Sequence, residues 1–375
     1  MPEWRSRAAE YMQDREYLLS AQMTIERGQY TVLPVVPSMR TTPQSQIAAQ
    51  LLARGERFRL QQAHLYYVTA DMTALALAAA ATAPAEAVSA DRMPAAAGLM
   101  VFAEPIGGYS MTQPGAETEV TVPIIAVSWG RWAADDITID GDSRAVKWMS
   151  NTGGTIKRIP SGFEGIWMTF YTPNDNSMYE AMAPDAVVGI APDGKPTTAA
   201  DILSLGIKTP LTWDNETVLG FGAHFDPNPN PDTTAEWSAT VYTAWQLITQ
   251  GGTRLTETAE IPRPRSGRKR DVREGITDTG AVRVINVHST HRPPPSASEQ
   301  DAQASDGRRA PQYSCRWPVR LHRRDQCMNP AAHKSGDCHH EERVILPYIK
   351  GPQDAPLRVR ENVNLWDHQP EQSAP

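Results

Sequence analysis

The apolar positions fall first at helical and then at strand spacing. Trp4, Ala8, Tyr11, Met12, Leu18 and Leu19 recur at three- and four-residue intervals, the stripe of an amphipathic helical segment reaching about Gln29. Thr42, a good N-cap, followed by Pro43 at the first helical position and "QSQIAAQLLA", predicts a second helix. "HLYYVT" from His64 reads as a strand, after which Asp71 is placed to cap an alanine-rich helix from Met72 to about Ala81. The first 90 or so residues are therefore expected to be mostly helical.

From Gly98 the period shortens. "GLMVFAEPI", "EVTVPIIAVSWGRW", "GIWMTFYT", "AVVGIAP" and "ETVLGFGA" are short, β-branched or aromatic, and separated by Gly, Asn, Asp and Pro turns. They predict a β-rich layer over 98–225. A helix over 232–250 follows, capped by Asp232 or Thr233, with Trp237, Val241, Trp245 and Ile248 on one face; core packing accounts for those tryptophans.

Beyond Gly251 the pattern weakens. "RPRSGRKRDVREG" is basic, "AVRVINVH" is a strand, and the Pro-, Ser- and Ala-rich stretch over 289–312 has little to bury and is expected to be flexible. "YSCRWPVRLH", "RVILPYI" and "ENVNLW" predict three more strands. The expected architecture is α+β. A body spans 1–262, with helices packed on the β-rich layer. A basic linker over 263–280 joins it to a small, mostly β module over 281–368 that carries the flexible insert. There is no internal repeat.

Composition narrows the class. The chain has 375 residues, 40% of them hydrophobic and 21% charged, enough to build a core. The most apolar window, "TALALAAAATAPAEAV" from Thr73, contains Pro84 and Glu86 and falls short of the roughly 20 residues of a membrane span, so it predicts a buried helix and no membrane partner. The charged N-terminal residues lack the apolar core of a secretory signal, and three cysteines fit a reducing compartment better than a disulfide framework, which together predict a cytoplasmic protein.

Charge changes the picture more. Residues 1–262 hold 17 Lys+Arg against 29 Asp+Glu, and residues 263–375 hold 19 against 14. An acidic body thus carries a basic C-terminal part, which points either to a polyanion partner or to a tail docked on its own body.

Three motifs in the body mimic function. "GIAPDGKPTT" from Gly189 has the skeleton of a phosphate-binding loop, but Pro196 supplies neither the hydroxyl for Mg²⁺ nor a backbone N–H, and Pro-Asp-Gly-Lys is a natural turn. "DPNPNPD" from Asp226 spaces its oxygens like a calcium loop, yet lacks the central glycine and has Trp237 where the bidentate Glu belongs. "DDITIDGD" from Asp135 reads first as a hairpin turn. The body shows no catalytic motif.

The chemistry-bearing residues concentrate near the C-terminus. Cys315, Cys327, His333, Cys338, His339 and His340 offer more donors than a tetrahedral zinc site needs, with Cys315, Cys327, Cys338 and His339 as the candidate ligands. No C-x-x-C knuckle occurs, so a solvated loop is the competing reading and neither metal nor cofactor is expected. Arg316, Arg320, Arg323, Arg324 and Lys350, together with Arg268, Lys269 and Arg270 of the basic run, form the candidate nucleic-acid surface. In a single strand Arg316, Pro318, Arg320 and His322 would share one face, opposite Trp317, Val319 and Leu321. His322, with Asp325 and Glu342 as neighbours, is the candidate general base if the chain is a metal-independent nuclease or toxin-like enzyme.

"WPVRLHRRDQ" from Trp317 and "RVILPYIKGPQDAPLRVRENVNLW" from Arg343 resemble the C-terminal signature of an uncharacterised family of actinobacterial hypothetical proteins encoded near plasmid, prophage and other mobile-element genes. "YTAWQLITQ" followed by a basic stretch and "AVRVINVH" is similar to the same family. The resemblance covers about the last 140 residues well and the body loosely. His322, Arg324, Gln326, Pro347, Lys350, Gly351 and Pro352 match the pattern, whereas the family reads Gly-His-Trp-Arg where this chain has Leu321, His322, Arg323 and Arg324, and it lacks the loop cysteines. The resemblance implies no activity. The expected function is accessory work for a mobile element or phage, without catalysis, binding nucleic acid or a nucleoprotein partner. The alternatives are the nuclease centred on His322 and a protein-binding adaptor.

Overall fold

A computed structural model of the chain describes all residues except 29, 36–42, 82–85, 113–118, 135–136, 139–144, 153–154, 175–179, 181, 191–194, 206–209, 251–254, 274, 277–279, 288–313, 320–321, 328–339, 346–347, 353–354 and 357–375. The chain divides into two compact units, Met1–Ser289 and Thr290–Pro375.

The first unit is built on a seven-stranded mixed sheet of β1 (His64–Val68), β2 (Ala97–Phe102), β3 (Ala126–Ala133), β4 (Glu164–Pro173), β5 (Leu211–Gly220), β6 (Thr256–Ile261) and β7 (Val282–Val287). Its spatial order is β5-β4-β3-β2-β1-β7-β6. Strand β1 runs parallel to both β2 and β7, and the remaining pairs are antiparallel.

Helices cover both faces. Strand side chains alternate between faces, so Leu65, Leu99, Val101, Trp167 and Tyr171 point one way. They meet α1 (Pro2–Tyr11), α2 (Arg15–Glu26) and α3 (Gln44–Gln62) through residues such as Ala8, Met12, Leu52 and Leu60. Tyr66, Val68, Met100, Phe102, Trp129 and Phe170 point the other way. They meet α4 (Ala70–Ala80) and, after the short helix α5 (Ala199–Leu205), α6 (Thr234–Thr249). The last helix, α7, is Arg265–Arg273.

The α+β expectation holds. The alanine-rich window forms α4, with Met72–Ala76 buried, and Trp237, Val241 and Trp245 of α6 are buried as core. Among the described residues no helix is long and apolar enough to cross a membrane. Thr42 lies outside the described residues, and Pro43 takes the N-cap place of α3. At the start of α6, Thr233 makes no side-chain cap bond; the Glu236 carboxylate accepts the Asp232 N–H at 2.7 Å instead.

Sequence and structure differ most after residue 262. The stretch read as a basic linker contains α7, and β7, placed by sequence in the C-terminal module, is an interior strand of the main sheet, bonded to both β1 and β6. In the second unit Trp317–Val319 pairs with Tyr348–Lys350, and His322–Cys327 pairs with His340–Ile345. The two pairings keep one register, Val319 opposite Tyr348 and His322 opposite Ile345, and residues 320–321 and 346–347 between them lie outside the described residues. The flexible insert and "ENVNLW" fall outside the described residues.

Candidate functional site

The body holds a polar cluster under α3. On the helix-facing side of the sheet, Glu216 of β5, Thr169 of β4 and Ser128 of β3 are successive cross-strand partners, and all three are buried. Glu56 hangs over this row from α3, itself fully buried. One Glu56 carboxylate oxygen accepts the Ser128 hydroxyl at 2.5 Å and the Tyr171 hydroxyl. The other accepts the Thr169 hydroxyl at 2.7 Å and Arg59 Nε and Nη2 at 3.0 and 2.7 Å. Burial by itself would push the Glu56 carboxyl up. The Arg59 guanidinium and the three hydroxyls outweigh it and hold the group below the usual carboxylate range.

The far side of Arg59 is equally constrained. Its guanidinium lies 4.7 Å from the centre of the Trp167 ring. Gly130, the cross-strand partner of Trp167, leaves room for the stem: a Cβ there would come within 3.0 Å of Arg59 Cγ and Cδ. The side chain that results is 11% exposed and forms a wall of an open cavity of about 490 Å³.

Glu216 is the second buried acid. It accepts the backbone N–H of Thr31 at 3.0 Å, that of Val32 at 3.2 Å and Trp213 Nε1–H at 3.1 Å. A β-bulge makes the last contact feasible: the register shift beside Phe170 and Tyr171 pairs Tyr171 with Trp213, turning that indole to the face of Glu216. Here burial prevails over the N–H donors, and the carboxyl is pushed up to about 7. Asp214, in the bulge, accepts the Tyr109 hydroxyl at 2.5 Å.

A third acid shapes the basic run. Asp271 of α7 is fully buried and takes a bidentate pair from Arg263, with Nε and Nη2 each at 2.7 Å. Arg5 of α1, 1% exposed, approaches it at 3.7 Å and also donates to Ala63 O at 2.6 Å. Gly267 lets Arg263 cross the helix, since a Cβ there would meet the guanidinium at 3.0 to 3.2 Å. With Asp271 turned inward, Arg265, Arg268, Lys269, Arg270 and Arg273 are all exposed. Arg270 pairs with Glu3 at 3.6 Å, an exposed pair that contributes little.

The candidates read from sequence are spread over both units. Arg268, Lys269 and Arg270 share α7 in the first. Arg316, Arg323, Arg324 and Lys350 belong to the second. Arg316 Nε donates to Ala355 O at 2.8 Å, so that guanidinium is tied to its own unit. Lys350 Nζ lies 5.9 Å from the Trp317 ring centre. Arg323, Arg324 and His322 are placed as strand backbone, His322 opposite Ile345 and Arg324 opposite Arg343. Arg320, His333, Cys338 and His339 lie outside the described residues. Cys315 and Cys327 are free thiols, and among the described residues no three His, Cys, Asp or Glu side chains are grouped to hold a metal.

Comparison of the chain with protein-family models, with curated proteins and with solved structures finds no match.

Proposed function

We propose that the protein binds a nucleic acid without catalysis, through the exposed face of α7. The observation that carries this reading is the segregation of charge on that helix. Its one acid is buried against Arg5 and Arg263, while its five other charged side chains, all cationic, face solvent. At 100° per residue Arg265, Arg268, Lys269, Arg270 and Arg273 span a little over half the helix circumference, opposite Asp271. Burying an acid so that it subtracts nothing from a surface potential suits a polyphosphate partner. Accessory work beside mobile-element genes is the setting that the C-terminal resemblance implies for such a protein.

The test is fluorescence anisotropy with labelled duplex DNA and with single-stranded RNA at two salt concentrations. If three phosphates are neutralised, affinity should fall about 40-fold for a fourfold rise in salt. Replacing Arg268, Lys269 and Arg273 together with Gln should weaken binding and flatten that dependence. Salt-insensitive binding, or a triple variant that binds like the wild type, would sink the proposal.

A further inference from the structure

The cavity beside Arg59 belongs to the first unit, opens to solvent, and is formed where the last turn of α3 passes over the starts of β1 and β2 and the end of β3. Ala96, Ala97 and Gly130 supply almost no side chain, so its floor is flat. Arg59 and Gln62 form one wall, and His64 and Arg131 also line it. Among the described residues no acid lines it. Phe58 lines the same space and is 64% exposed, unusual for a large aromatic ring on a helix whose neighbouring turns bury Leu52 and Leu60. At about 490 Å³ the space falls within the ordinary range for small-molecule sites.

What distinguishes it from a surface dent is how Arg59 is held. Glu56 takes Nε and Nη2, leaving Nη1 outside the pair, and Trp167 and the bare Gly130 fix the rest of the side chain. Glu56 is in turn fixed by Ser128, Thr169 and Tyr171, and Trp167 Nε1 donates to the Thr169 hydroxyl at 3.1 Å. A buried ion pair of this kind does not by itself favour stability over an apolar core of similar volume. It does hold a guanidinium in one orientation at a cavity wall, which is how oxyanion sites are preorganised.

We propose that this cavity is a binding site for a small organic anion, a carboxylate or phosphate joined to a flat apolar group. Arg59 and Gln62 face the anionic end, and the apolar part lies on the Ala96, Ala97 and Gly130 floor against Phe58. Arg131 follows Trp129 by two residues and its guanidinium lies 5.9 Å from the Phe221 ring centre, on the opposite face of the sheet, so Arg59 is the cation that meets the ligand. This site is independent of the α7 surface.

Isothermal titration of the full chain with benzoate, phenyl phosphate and inorganic phosphate tests it. Benzoate or phenyl phosphate should bind in the millimolar range or tighter. Gln62→Ala should weaken binding by about tenfold, the loss of one hydrogen bond to the anion. Phe58→Ala should weaken the two aromatic probes and leave inorganic phosphate unchanged. Phe58 is exposed and Gln62 is half-buried at the end of α3, and melting curves would verify that the variants stay folded. The triple α7 variant should bind the probes like the wild type. No heat from any probe at millimolar concentration, equal binding by Gln62→Ala, or loss of probe binding in the α7 variant would each overturn the proposal.

Discussion

Two glutamates sit in the same buried polar layer and titrate in opposite directions. Glu56 has a guanidinium 2.7 Å away and three hydroxyl donors; Glu216 has three N–H donors, and Arg59 acts on it only from a distance. Burial is the largest influence on both, so a cation in direct contact decides the sign. The other titratable groups packed around Glu216 are Tyr17 and Tyr30, whose hydroxyls are pushed up by burial, and neighbouring Asp214, also raised by burial. For a carboxyl raised from 4.5 to about 7, the folded state holds its proton while the unfolded state has lost it. Stability from this group is full below 4.5 and is lost as pH rises to about 7, by up to about 3 kcal/mol. Urea midpoints measured through that window should therefore show wild type losing stability relative to Glu216→Gln as pH rises. A difference between the two proteins that stays constant with pH would contradict this. The sequence carried a sign of Glu56, which stands four residues from both Leu52 and Leu60 and so puts an acid on the apolar stripe of α3. Glu216 left no such sign, because the β-bulge that brings Trp213 to its face breaks the alternation by which strand residues are sorted.

At the scale of elements, those with strong periodicity were legible. The stripe of Trp237, Val241 and Trp245 is the buried face of α6, and "HLYYVT" became β1 with Leu65, Tyr66 and Val68 buried on alternate faces. Helix α7 was not legible, since its one large apolar side chain, Val272, is 66% exposed and there is no stripe to read. What attaches it is Asp271, held by Arg263 from eight residues away and by Arg5 from the opposite end of the unit's sequence. An ion cluster of that kind has no period. Asp271→Asn should remove the carboxylate that holds Arg5 and Arg263 and cost about 3 kcal/mol. The loss should be local first: amides of 265–273 should exchange faster by hydrogen–deuterium mass spectrometry while those of α6 keep their protection. Unchanged protection along α7 would mean that other contacts hold it.

For the whole molecule, the sequence specified helices, strands and a division of charge, and the α+β class followed from them. The order of strands did not, because pairing is a property of distant segments. Strand β7 was read with the C-terminal module since it follows a basic stretch and precedes a Pro- and Ser-rich one, both features of linkers. In the folded chain it fills the gap between β1 and β6, with Ile285 fully buried and Thr69 donating both its N–H and its hydroxyl to Ile285 O at 3.1 Å. All seven strands of the main sheet and both apolar cores belong to the unit ending at Ser289. This sets two truncations apart. A chain ending at Ser289 should fold, melt in one cooperative transition close to the corresponding transition of the full-length protein, and keep the α7 surface and the Arg59 cavity. A chain ending at Gly275 retains α7 but removes β7, which strips hydrogen-bond partners from one edge of β1 and leaves β6 with no neighbour. It should unfold or aggregate through the exposed edge of β1, as unprotected apolar strands do. Circular dichroism melts and size-exclusion profiles of the two chains decide the matter. A cooperative, monomeric melt from the shorter chain would show that β7 is dispensable and that the unit's true boundary lies before it.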